Sequence, residues 1–370
     1  MIILEKLNKC FPFDRNGTLD QALNERTNNL TFIRLCAAIL VVIDHAFPLG
    51  NKPRWLMTRI GFSLGEWAVV TFFFLSGILI AKSWDEDPNI FHFITKRVLR
   101  IFPGILTALT FTTFVIGSLT TNLPIKDYLR HSETWSYLAH NALLFPQKTG
   151  LPGVFTQNPF PLSVNNSLWT IPVEFFFYGC LLCVGILGAV KHKYFSLTIL
   201  CTLLYINLHI LPRGKLDPPL FIFMPTYALW SLSLCFFFGV VCYSFRDKIV
   251  LNFNWAITAG VVYLISFDTP YVWLTRVFLW GYFLLCFGFQ NWKICQSTTK
   301  HGDFSYGIYI YGFPVQQYFY HLYPHMTPFE NILVCVPVTY LFGMLSWKLV
   351  EKPSLSLKRF VKNKKQETLV

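Results

Sequence analysis

Apolar residues in this chain come in runs long enough to cross a lipid bilayer, and no other feature limits its folding as sharply. The runs lie at roughly 30–48, 66–82, 95–118, 167–190, 194–211, 220–243, 252–268, 271–289, 303–322 and 329–350, each bounded by charges or by Pro and Gly. A helix needs about 20 apolar residues to cross the hydrocarbon core, and in lipid each backbone polar group must be satisfied within the segment that carries it. The expectation is an all-α integral membrane protein, a bundle of about ten transmembrane helices. Hydrophobic residues make up 54% of the chain and charged residues only 14%, so lipid rather than water is its solvent.

Orientation follows from Lys and Arg, which accumulate in cytoplasmic connections. Counting the connections with the Lys82 to Arg100 segment, and leaving out Arg276 and Lys348 inside spans, twenty fall on the side of the N-terminus and eight on the other. Both termini of a multi-pass chain are therefore expected in the cytoplasm. The net charge of +12 then reflects topology and attraction to anionic lipid, and requires no nucleic-acid partner.

Three regions follow: an N-terminal segment 1–29, a membrane domain 30–350 and a basic tail 351–370. The first apolar run lacks a small-residue cleavage site and reads as a retained helix rather than a signal peptide. The outer connection 119–166 is long, carries Pro124, Pro146, Pro152, Pro159 and Pro161, and includes an apolar stretch from Trp135 to Phe145 too short to span. It reads as a re-entrant or interfacial segment over the outer mouth, or as a surface loop with one amphipathic turn. Eight of the ten cysteines lie inside apolar runs, and Cys180 and Cys183 form the only C-x-x-C. Free thiols and no metal site are expected.

Three ionisable residues stand where lipid should be, and such groups mark function by default. Arg34 and His45 are eleven residues apart on the first span, about three helical turns, so they share a face about 16 Å apart along the axis. His45 suits general-base work because its unperturbed pKa lies near neutrality; the alternatives are a snorkelling Arg34 and a His45 satisfied by a neighbouring helix. Asp44 has at most a supporting role, since adjacent residues on a helix do not face each other. Arg97 and Arg100, at i and i+3 at the start of the third span, could clamp one anionic group, or could be the basic cluster that topology alone requires. Glu174 lies about two turns into the fourth span, so it and His45 are expected in the same outer half of the bilayer, where Glu174 would orient an acceptor or the imidazole. A structural Glu held by Tyr or Trp donors is the alternative. Trp169, Asn166 and Ser167 could line a sugar site, although an interfacial Trp is also the usual belt residue.

These residues fall in blocks that carry a resemblance: Arg34 and His45 with ten residues between them, Phe72-Phe73-Phe74-Leu75-Ser76-Gly77, Arg97-x-x-Arg100-Ile101-Phe102-Pro103, Ser167-Leu168-Trp169 leading to Glu174, Phe304-Ser305-Tyr306-Gly307-Ile308-Tyr309, and Leu349-Val350-Glu351-Lys352-Pro353. In that order they resemble the acyltransferase-3 family of membrane acyltransferases over nearly the whole chain. The resemblance implies transfer of an acyl group, usually acetyl from acetyl-CoA, to exported glycans such as lipopolysaccharide O-antigen, capsule, peptidoglycan or Nod factors. It implies that His45 is the catalytic histidine, that Arg34 belongs to the same motif, and that Arg97 and Arg100 engage the CoA phosphates. The acceptor would be a glycan or a lipid-linked oligosaccharide. Direct attack on the thioester and an acyl-histidine intermediate both stay open.

Two departures from the family pattern stand out. Where many members have Trp-His before Phe-Pro, this chain has Tyr311-Gly312-Phe313-Pro314 followed by Gln316 and Gln317, so no second histidine is expected there. The esterase-like domain that follows the last span in many relatives is not expected after Val350. A transporter or flippase of lipid-linked sugars is the competing class, but it should show repeated or broken half-helices, and none is evident in the sequence.

Overall fold

The computed structural model describes residues 17–25, 27–54, 63–144, 147–209 and 226–360. Parts of the expected segments 1–29, 194–211, 220–243 and 351–370 lie outside the described residues. Helix occupies each expected span: α1 Leu30–Leu49, α2 Leu64–Glu86, α3 Ile90–Thr120, α4 Asn166–Ile186, α5 Lys193–His209, α6 Thr226–Ser244, α7 Phe253–Ile265, α8 Val272–Gly288, α9 Ser305–Leu322 and α10 Pro328–Ser356. Among the described residues, α1, α2, α3, α4 and α10 are each long and apolar enough to cross a membrane by themselves. A sixth is reached if α8 and the following helix Lys293–Thr299, bent by 86°, count as one span. The protein is thus a multi-pass, all-α membrane protein, with only a two-residue strand pair, Gly17–Thr18 against Val250–Leu251, among its described residues.

Part of the shortfall from the expected ten is length, since α5 has 17 residues and α7 has 13, and part has a physical cause in α9. Ser305, Gln316 and Gln317 lower its hydropathy, yet all three are fully buried, so this helix is solvated by its neighbours rather than by lipid. Gln316 Nε2 donates to the Val42 carbonyl at 2.8 Å and to Asn331 Oδ1 at 2.9 Å. Gln317 Nε2 donates to the carbonyls of Phe160 and Ser163. The glutamines therefore staple α9 to α1, to α10 and to the 119–166 connection, and buried polar groups so paired do not count against membrane placement.

Local signals set the helix starts. Ser63 accepts from the Glu66 N–H at the head of α2, and Thr327 with Glu330 forms a capping box before Pro328 at the head of α10. α1 sits at the centre and packs against α2, α9 and α10, while α2 also packs along α6. The last contact is backbone to backbone: a Cβ on Gly77 would stand 2.0 Å from the Phe236 carbonyl oxygen, and one on Gly239 would stand 2.3 Å from that of Phe74. Small residues allow such close approach where no water drives helices together.

Contacts to α3 and α9 hold the described residues of the 119–166 connection. Its apolar stretch begins inside the eleven-residue helix Ser132–Ala142, about 16 Å long and too short to span. Tyr128 donates to the Thr113 carbonyl at 2.8 Å, and Asn158 Nδ2 donates to Gln317 Oε1 at 2.8 Å. The segment is thereby laid across the ends of α3 and α9.

Candidate active site

Two cavities open along α1, and the Arg34–His45 spacing places one residue in each. The first, about 300 Å³, is lined by Arg34, Arg97, Arg100, Glu174, Asp303 and Lys358, with apolar walls from Phe72, Leu79 and Tyr306. The second, about 250 Å³, is lined by Asp44, His45, Arg54, Glu66, Trp169 and Arg276. Val69 and Tyr309 line both. A helix of 3.6 residues per turn keeps residues eleven apart on one face, which is why a single helix serves both ends of this path.

Charge in the first cavity is arranged around Asp303. Its Oδ2 meets Arg34 Nη1 at 2.6 Å and Arg100 Nη2 at 2.9 Å, and Ser305 donates its backbone N–H to Oδ1 at 3.2 Å. Two guanidiniums on one oxygen compensate the burial of this carboxylate. Arg100 also reaches Glu351 at 3.6 Å. Arg97 has a different setting: its Nη2 donates to Ser83 Oγ at 2.6 Å and its guanidinium lies over the rings of Phe93 and Tyr178. Its buried Nε has no hydrogen-bond partner among the described residues. Four cations, Arg34, Arg97, Arg100 and Lys358, face two carboxylates, Glu174 and Asp303, across this space. The surplus of two positive charges and the unused guanidinium N–H suit an anion with several oxygens.

His45 stands in the second cavity with its ring edge-on to Phe313, centroids 5.4 Å apart. Its Nδ1 lies 3.5 Å from Ser167 Oγ; with Nδ1 as the protonated nitrogen donating to that hydroxyl, Nε2 is the basic one. Beside it, Asp44 Oδ2 pairs with Arg54 Nε at 2.9 Å, and Glu66 Oε2 lies 3.6 Å from Arg276 Nη1. Asp44 thus serves Arg54 rather than the imidazole, as adjacency on a helix requires. Two arginines and two carboxylates balance, so this cavity offers polar contacts without net charge.

The residues expected from sequence divide accordingly. Arg34, Arg97 and Arg100 come together in one cavity, and His45 and Trp169 in the other. Glu174 was expected beside His45; it lies instead in the first cavity, where it accepts from Tyr178 and from Ser76 Oγ. Depth along α4 fixes only an axial coordinate, and the side of α4 that carries Glu174 turns toward α2 and α3. The first turn of α4 is what reaches His45, through Ser167. Asn166 corrects a second expectation: it is exposed and lines neither cavity. Its neighbour Asn165 is the buried one, donating to the Ile310 carbonyl at 2.8 Å and accepting the Ser167 N–H at 3.2 Å. Sequence reasoning gave no site role to Asp303, Lys358, Arg54 or Tyr309. A carboxylate two residues before the Ser305 start of α9 was the signal available for the first of them.

Comparison with known proteins identifies the family. The family model described as Acyltransferase domain matches residues 27–348. An O-acetyl transferase of Shigella phage Sf6 is 27% identical over 341 residues, covering 90% of this chain and 97% of that protein. Nodulation protein 10 of Rhizobium leguminosarum bv. viciae is 27% identical over 177 residues, covering 44% of this chain and 45% of that protein. No solved structure matches. The matched region takes in both cavities save for Leu355 and Lys358, and the chain belongs to the acyltransferase-3 family of membrane acyltransferases.

Proposed function

We propose that the protein is an inner-membrane O-acetyltransferase that moves acetyl from cytoplasmic acetyl-CoA to a hydroxyl of an exported glycan or lipid-linked oligosaccharide. The observation that carries the reading is the pair of cavities, one cationic at Arg34 and one neutral at His45, meeting at Val69 and Tyr309. The bundle has ten spans with both termini in the cytoplasm, in keeping with the Lys and Arg bias, so the Arg34 end faces acetyl-CoA and the His45 end faces the acceptor.

Arg97, Arg100 and Arg34 hold the CoA phosphates, and Lys358 adds a fourth cation. Asp303 keeps Arg34 and Arg100 aimed into the cavity, and Glu174 balances Arg97 on the donor side. The extended pantetheine arm then follows α1 inward, and the separation from Arg34 to His45, about 16 Å, is within its reach. On the other side, Trp169 offers an aromatic face to a sugar ring. Asp44, Arg54, Glu66 and Arg276 offer hydrogen bonds to its hydroxyls without a net charge.

His45 takes the hydroxyl proton on Nε2 as that oxygen attacks the thioester carbonyl; the C–O bond forms, the C–S bond breaks, and the thiolate recovers the proton from the imidazolium. Ser167, at Nδ1, fixes the ring. The name of the phage relative supports acetyl as the group and oxygen as its destination.

Sidedness is the test. Inverted membrane vesicles loaded with the acceptor glycan and given radiolabelled acetyl-CoA outside should label the enclosed glycan, and sealed right-side-out vesicles should not. Equal labelling by both preparations, or none by either, contradicts the reading.

A further inference from the structure

Among the described residues, two line both cavities, and their side chains stand where the cavities adjoin. One is Val69, half-buried on α2, whose β-branch leaves it one strongly preferred rotamer in a helix. The other is Tyr309, buried on α9. Its hydroxyl donates to the Ser167 carbonyl at 2.9 Å and shares a 2.6 Å hydrogen bond with Thr170 Oγ1, while its ring packs edge-on against Phe72 at 6.0 Å. A ring held at its tip and on its edge does not swing aside without giving up both hydrogen bonds. The Tyr309 wall of this throat is therefore stiff, and the residue whose carbonyl holds it, Ser167, is the one whose hydroxyl meets His45.

We infer that the acyl group of the donor lies in this throat, between Val69 and Tyr309, and that the two side chains set the length of acyl chain the enzyme transfers. The inference rests on the proposed donor and acceptor sides. With CoA in the Arg34 cavity and the hydroxyl at His45, the thioester carbonyl stands at the junction, because the C–S bond that breaks and the C–O bond that forms share that one carbon. At the junction the acyl tail meets the two residues that line both cavities, the Val69 methyls and the Tyr309 ring. An acetyl methyl asks for the least room beside them. Each further methylene must displace a stiff side chain, and one methylene in a closed apolar site separates substrates by about 10- to 200-fold.

The test compares acetyl-, propionyl- and butyryl-CoA as donors with the full-length enzyme in nanodiscs, read as radiolabel transferred to the source envelope glycan. Val69→Ala should raise the butyryl-to-acetyl ratio of kcat/KM about tenfold or more, and Val69→Leu should lower the propionyl-to-acetyl ratio. Tyr309→Phe keeps the ring and removes its anchor, so it should relax the same selectivity. Leu333→Ala, on the exposed face of α10 and lining neither cavity, should leave the ratios unchanged. Acetyl transfer with unaltered ratios in all three throat variants overturns the inference and leaves the proposed function standing. No transfer from any acyl-CoA by the wild-type enzyme overturns both.

Discussion

Arg34 and Asp303 form the shortest ion pair of the Arg34 cavity, 2.6 Å between Nη1 and Oδ2, and it joins the beginning of the matched family region to a point near its end. The same oxygen holds Arg100, so one carboxylate aligns guanidiniums from α1 and α3. Breaking a buried pair by removing one partner costs on the order of 3 kcal/mol or more, because the remaining charges lose their compensation. Asp303→Ala should lower the midpoint of thermal unfolding in detergent and abolish tight donor binding together. Asp303→Glu, which restores the charge, should recover part of both. A midpoint unchanged in Asp303→Ala would remove Asp303 from this role.

Arg97 differs from Arg34 and Arg100 in forming no ion pair with a carboxylate among the described residues, where its Nε also has no hydrogen-bond partner. It is the guanidinium with most to gain from a phosphate. A hydrogen bond to a charged group contributes about 1.5–3 kcal/mol, which corresponds to a rise of about 10- to 150-fold in the KM for acetyl-CoA in Arg97→Ala. The KM for the acceptor should not move. Equal changes in both constants would point to a folding defect instead.

Lys358 supplies the pH dependence. Burial, and then the positive charges of Arg97, Arg100 and Lys96, lower its ammonium to about 8. It is charged below that value and neutral above it, so the KM for acetyl-CoA should be level below about pH 7 and rise above about pH 8. Lys358→Arg, which keeps its charge, should flatten the profile. The stability trend has a definite sign as well. Between about pH 8 and the unfolded lysine value of about 10.4, the unfolded chain holds a proton that the folded chain has released. This group therefore makes the protein more stable as pH rises through that window, and Lys358→Met should remove the trend.

Two glycines on neighbouring helices should behave oppositely. Gly77→Ala drives a methyl into the Phe236 carbonyl of α6, and overpacking against backbone costs about 1–3 kcal/mol or more. At Gly179, inside α4, a Cβ would meet nothing within 4 Å. Gly179→Ala should therefore stabilise the helix by about 0.5–1 kcal/mol. Thermal melts of the two variants beside the wild type check both directions, and similar shifts in the same sense would contradict the packing described for α2 and α6.

Much of this was legible in the sequence, and the limits are instructive. Apolar runs located the helices because lipid solvation leaves the backbone little choice, and the spacing from Arg34 to His45 gave their common face because a single helix has a fixed period. Glu174 shows where that reasoning stops. Its depth in α4 is readable from the chain, but the cavity it enters depends on how α4 is rotated against α2 and α3, which only packing decides. Asn165 and Asn166 make the same point over one residue: they are equally polar, but only Asn165 falls where the Ile310 carbonyl awaits a donor. Tyr309 was visible as part of a motif block, whereas its place between two cavities needed the positions of α1, α2 and α9 together.

The central claim is that donor and acceptor meet at His45. Purified wild-type protein and His45→Ala, given radiolabelled acetyl-CoA and the same glycan fraction, measure it directly. Removal of a general base lowers the rate by about 10²- to 10⁴-fold, and that loss is expected with acetyl-CoA binding retained, since the Arg34 cavity is untouched. Equal transfer of label by the two proteins would contradict the claim.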